Sequence, residues 1–202
     1  MNYFTNLFDY NLRYVHAPKC SSRTTLAWMV LIREPHLYEN NPNWFMSVPN
    51  KRDHAYKDIK RRIQKHDFYE TEYDTTKITF CIKRDPVKRF ISAYQNMRWL
   101  GELGNSIEKL INNWDDLMMN RPVLKEHFRT QTSFYGTHAI YSHLFKHDRM
   151  TEVKEFLEDY ASVHLPTLQL QQSGKKEEVL LNNEQINWIR EKYKEDYENG
   201  WY

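Results

Sequence analysis

The chain has 202 residues, 40% hydrophobic and 15% aromatic, which suits a single globular domain over 1–202 with a sizeable core. Twenty-nine basic and 27 acidic side chains leave a net charge of only +2, so composition argues against a nucleic-acid binder and any anion site must be local. No apolar run reaches the roughly 18 residues of a membrane span, and MNYFTNLFDYNLRY lacks the layout of a signal peptide. The two cysteines, Cys20 and Cys81, are too few for a disulfide framework and fit a reducing, intracellular setting.

In chain order, residues 13–17 read as a buried strand, ended by Pro18. Residues 24–33 predict a helix, with Leu26, Met29, Val30 and Arg33 at helical spacing and Ser21 or Ser22 as N-cap. The Pro- and Asn-rich stretch 34–53 reads as irregular, and 55–64 as a basic helix. KITFCIK, 77–83, is the strongest strand, apolar enough for burial on both faces. Asp85-Pro86 is an N-cap followed by a favoured first helical residue, so a helix follows over 87–99. Further helices are expected at 105–118 and 150–160, a short strand at 138–147, a loop-rich stretch at 161–182 and a final amphipathic helix at 183–198. Two strand–loop–helix units in succession predict an α/β fold with a central parallel sheet flanked by helices.

Both connecting loops carry anion-binding chemistry. The first, 17-APKCSSRTTLAWM-29, holds Lys19, Ser21, Ser22, Arg23, Thr24 and Thr25 where a helix begins. A helix N-terminus offers unpaired N–H groups and positive dipole character, to which lysine adds a point charge. The motifs GxxxxGK[ST] and GxGxxG are both absent. With no glycine in the loop, position 21 is expected to need no positive φ. The second unit, 80-FCIKRDPVKRFISAYQNM-97, places Arg84 at the strand's C-terminal end, where open α/β sheets bind ligands, and Ser92 two turns into the helix.

PKCSSRTT followed some sixty residues later by KRDPVKRFISAY resembles the paired signature of sulfotransferases that use 3′-phosphoadenosine 5′-phosphosulfate (PAPS). The segment 127-HFRTQTSFYG-136 and the tail 193-YKEDYENGWY-202 are similar to elements of the carbohydrate branch. The resemblance covers most of the chain from about residue 13, with nothing recognisable over 34–76. It implies a P-loop-like sulfotransferase fold in which residues 19–25 (Lys19, Cys20, Ser21, Ser22, Arg23, Thr24 and Thr25) grip the 5′-phosphosulfate. Arg84 and Ser92 would grip the 3′-phosphate, with Lys175 of a late basic loop closing over it. Arg89 either joins them or faces solvent or an acidic neighbour. Lys19 would neutralise charge developing on the leaving group.

The family loop usually has Gly or Ala where Ser21 stands and often Thr where Arg23 stands, which leaves the contacts of 21–23 open. The general base is a histidine or glutamate: His66 and His127 are the leading candidates, with His54, Glu70 and Glu72 behind them. Arg129 and Gln131 either line a pocket or are structural. No HExxH or CxxC points to a metal, and sulfuryl transfer from PAPS requires none. The expected partner is a carbohydrate or other hydroxyl acceptor, with no nucleic acid and no membrane. The lack of an anchor suggests a cytoplasmic enzyme of bacterial or viral origin. Two rivals stand beside this reading: a nucleotide or sugar kinase with an atypical loop, which would need ATP and Mg²⁺, and a non-catalytic PAP- or carbohydrate-binding module, which would bind without turnover.

Overall fold

The two strongest strands pair as parallel neighbours. A computed structural model describes residues 4–7, 10–40, 59, 61–62, 77–168 and 178–202. Its sheet runs β1 (Phe4–Leu7), β2 (Leu12–Val15), β3 (Ile78–Lys83), β4 (His143–Lys146) in spatial order. β2 pairs parallel to β3, with Tyr14 opposite Phe80, and their rings stack at 4.8 Å. β1 pairs antiparallel to β2, so the sheet is mixed: a parallel centre with an antiparallel edge. All four β2 residues are buried, including Arg13, whose Nε donates to Asn6 Oδ1 at 3.0 Å across the β1–β2 register. The β1 strand was not anticipated; FTNL is short and half polar, and its partner across the hairpin supplies the burial.

The helices are α1 (Ser22–Arg33), α2 (His36–Asn40), α3 (Pro86–Trp99), α4 (Ile107–Asn112), α5 (Trp114–Asn120), α6 (Pro122–Phe128), α7 (Gln131–Tyr135), α8 (Met150–Ala161), α9 (Asn183–Lys192) and α10 (Lys194–Glu198). Expected helices 105–118 and 183–198 are each split, at Asn113 and Tyr193. The expected strand at 138–147 is a short 3₁₀ turn, His138–Ile140, followed by β4. Of the expected helix 55–64 only residues 59, 61 and 62 are described, each helical, and Ile59 is buried.

The chain forms two compact units. The first comprises Met1–His16, Ser21–Ile82 and Ala139–Gln172. Its core joins strand residues Leu12, Tyr14, Phe80 and Ile82 to Leu26–Ile32 of α1 and to Val153 and Leu157 of α8. Every α1 residue from Thr25 to Ile32 is buried, so this helix is enclosed on all sides rather than amphipathic. The second unit comprises Ala17–Cys20, Lys83–His138 and Ser173–Tyr202. There α3 packs against α6 and α9, and Phe90, Tyr94, Met97, Phe128, Ile189 and Tyr193 form the core.

Candidate active site

The first loop departs from expectation at its backbone. Lys19 has φ 70° and Ser21 has φ 56°, both in the left-handed region. The reading that position 21 needs no positive φ is therefore corrected. The loop makes a glycine-type turn with two side-chain-bearing residues, each at a strain of roughly 1–2 kcal/mol. The short path from β2 to α1 requires the reversal, and a turn bond from Cys20 N to the Ala17 carbonyl at 3.3 Å helps hold it. Ser21 occupies the N-cap of α1 yet its own side chain makes no cap bond to that helix N-terminus. Ser21, Ser22, Arg23 and Thr24 are half-buried. Thr25 is buried, and its hydroxyl donates to the Ser21 carbonyl at 3.2 Å. The Cys20 thiol is likewise buried, 3.4 Å from Gln131 Oε1, and burial holds it in the neutral form. For Cys20 and Thr25 the side chains are engaged within the fold, so only their backbones remain for an anion.

In the second loop, Asp85 caps α3 as expected, accepting from Lys88 N at 2.8 Å, with Pro86 in the first turn. Arg84 lies before that cap. Its Nη1 donates to the Lys19 carbonyl at 2.8 Å, joining the two loops across 65 residues of sequence. Its Nε is buried without a hydrogen-bond partner among the described residues. Burial lowers its pKa, yet a guanidinium remains charged at neutral pH. Ser92 is buried on α3. Arg89, one turn in, faces neither solvent nor a carboxylate partner among the described ion pairs. It has no exposed surface, and its guanidinium donates to three backbone carbonyls: Pro18 at 3.0 Å, Arg129 at 2.6 Å and His127 at 3.4 Å. That places it as a structural clasp under the Lys19 loop.

His127 ends α6. Its Nδ1 lies 3.0 Å from the Val123 carbonyl. A carbonyl only accepts, so Nδ1 carries the proton and Nε2 presents a lone pair. Burial, then the charges of Lys19 and Arg89, hold its pKa below the usual imidazole value against the opposing Val123 bond and Glu126. Arg129 is engaged within the protein: it lies 4.7 Å over the Phe134 ring, donates from Nε to Ser133 Oγ at 3.2 Å and pairs with the Glu126 carboxylate at 3.8 Å. Gln131 is fully buried, with its amide bonded to Arg84, Cys20 and Trp201. His54, His66, Glu70, Glu72 and Lys175 lie outside the described residues.

The second unit thus gathers a lysine, an arginine whose buried Nε has no partner among the described residues, and a neutral histidine. A family model described as the sulfotransferase family matches residues 3–199. The chain belongs to the sulfotransferase family. No curated protein and no solved structure matches it. A sulfotransferase moves a sulfuryl group to an acceptor, and the α/β fold with a parallel strand pair agrees with that membership. Among the described residues no His, Cys, Asp or Glu cluster could hold a metal ion, and no helix is long and apolar enough to cross a membrane.

Proposed function

We propose that this sulfotransferase takes its sulfuryl group from PAPS and transfers it to a hydroxyl of a carbohydrate acceptor, releasing PAP. Both units form one catalytic domain on this reading, since the family match runs through both. The observation that carries the reading is the Arg84–Lys19 hydrogen bond of 2.8 Å, which brings the loop expected to hold the 5′-phosphosulfate to the residue expected to hold the 3′-phosphate. The buried Nε of Arg84 fits an anion, because a guanidinium edge without an acceptor among the described residues is suited to a phosphate. The carbohydrate acceptor rests on the likeness of HFRTQ and the tail to that branch of the family.

PAPS, when bound, supplies the sulfuryl group and leaves as PAP. Lys19 offsets negative charge on the oxygen that bridges sulfur and phosphorus as that bond breaks. Arg84, with Ser92 beside it on the motif, holds the 3′-phosphate and fixes the donor end to end. His127 Nε2 takes the proton of the acceptor hydroxyl while the acceptor oxygen bonds to sulfur.

A calorimetric titration of PAP against adenosine 5′-phosphate tests the donor assignment. A clear preference for PAP is expected, and equal affinities would sink the 3′-phosphate pocket. Lys19→Ala should lower turnover by two orders of magnitude or more, in line with loss of a transition-state donor, while the melting temperature moves little. Near wild-type turnover would remove Lys19 from the chemistry.

A further inference from the structure

The Gln131 side chain makes four hydrogen bonds beside the motif loops. Its Oε1 accepts from the Arg84 backbone N–H at 2.8 Å and from the Cys20 thiol at 3.4 Å. Its Nε2 donates to the Arg84 carbonyl at 2.8 Å and to the Trp201 carbonyl at 2.7 Å. Two carbonyls on one side and two donors on the other leave one orientation of the amide that satisfies every partner. A single side chain therefore holds both backbone polar groups of Arg84, as a neighbouring strand would. The same amide reaches the residue that follows Lys19. Gln131 is itself held: its N–H donates to Asp196 Oδ2 at 2.9 Å, while Asp196 Oδ1 accepts from Thr132 N at 2.8 Å and from Thr132 Oγ1 at 3.0 Å.

A core glutamine that only fills space has no need to choose these partners. Arg84 and Cys20 each belong to one of the two motif loops, and no other described side chain is seen to bond both the N–H and the carbonyl of Arg84. We infer that Gln131 is a positioning residue, which fixes the Arg84 backbone so that its guanidinium is aimed at the donor's 3′-phosphate and keeps that residue in register with the Lys19 loop. The inference rests on the PAPS reading above. It assigns Gln131 no contact with the donor.

The test is a titration of full-length wild type, Gln131→Met and Gln131→Glu with PAP and with adenosine 5′-phosphate, with a melting curve for each protein. Met keeps the volume but cannot bond, and the preference for PAP over adenosine 5′-phosphate should fall on the order of tenfold as Arg84 loses its two fixed bonds. In an Arg84→Ala background the same substitution should produce no further fall, because the effect passes through Arg84. Glu at 131 turns an acid towards two carbonyls. Protonated it can donate to one of them, and ionised it repels both, so its PAP preference should drop with rising pH relative to wild type. It serves as the second variant should the Met protein not fold. A lower melting temperature with the preference intact in both variants would reduce Gln131 to a structural residue and overturn the assignment. An additive fall in the Arg84→Ala background would do the same. Wild type without any preference for PAP would instead overturn the donor reading, and this assignment with it.

Discussion

Ser21 shows how side chains can occupy a turn that glycine would otherwise take. Its φ of 56° and the 70° of Lys19 put two L-residues in the left-handed region on either side of Cys20. Ser21→Gly relieves that strain but loosens the unfolded chain, so the two effects of about 1 kcal/mol each nearly cancel. Its melting temperature is expected to stay within a few degrees of wild type. Ser21→Val introduces a β-branched residue where none is comfortable and should cost about 2 kcal/mol in chemical denaturation. At His127 the sign of the pKa shift predicts the pH response. Burial and the Lys19 charge disfavour the imidazolium, so the neutral base persists to a pH below the ordinary imidazole value. The acid limb of kcat/KM should therefore lie below that value, and His127→Ala should abolish it while lowering turnover by about 10²- to 10⁴-fold. Full turnover in that variant would pass the role to another group. The same shift lowers stability as pH falls through the unfolded value, because the unfolded imidazole binds the proton more readily.

Among the elements, the caps are the parts most directly written in local sequence. Asp85 and Pro86 open α3, and Asn182 with Gln185 forms a capping box at α9, where each side chain meets the other's backbone N–H at 2.8 and 3.1 Å. Asn182→Ala should cost about 1 kcal/mol in urea denaturation and leave turnover unchanged, since the box lies outside the proposed machinery. A loss of turnover at unchanged stability would show that α9 has a role the caps do not reveal. The split helices have a different cause. Asn113 turns its side-chain amide back to the Lys109 carbonyl at 2.8 Å, and Tyr193 sends its hydroxyl into the core to the Phe128 carbonyl at 2.6 Å. Each takes φ −111° and ends one helix as it starts the next. Hydrophobic periodicity runs through both positions, which is why a single helix was expected at each.

For the molecule as a whole, each compact unit has its own apolar core, and the second also has a polar keystone. Arg89 bonds Pro18, His127 and Arg129 through their carbonyls, with its side chain fully enclosed. Arg89→Leu would leave three carbonyls without their donor, and Arg89→Lys could not reach all three from one ammonium. Both are expected to lower stability by about 3 kcal/mol or more in guanidinium denaturation. A loss of donor binding at unchanged stability would instead return Arg89 to the phosphate site.

The central strand–loop–helix pairs and the caps at Ser21 and Asp85 were legible in the sequence, because propensity and capping act over a few residues. HFRTQ and the tail were legible as likenesses only. The bonds of Gln131 to residues 47 and 111 positions away along the chain exist only in the folded protein. The fold alone decided that Arg89 is a clasp, that FTNL is an edge strand, and that the loop turns through left-handed residues without glycine. Each of these depends on partners brought close by folding, and hydrogen bonds between distant residues leave no trace in local periodicity.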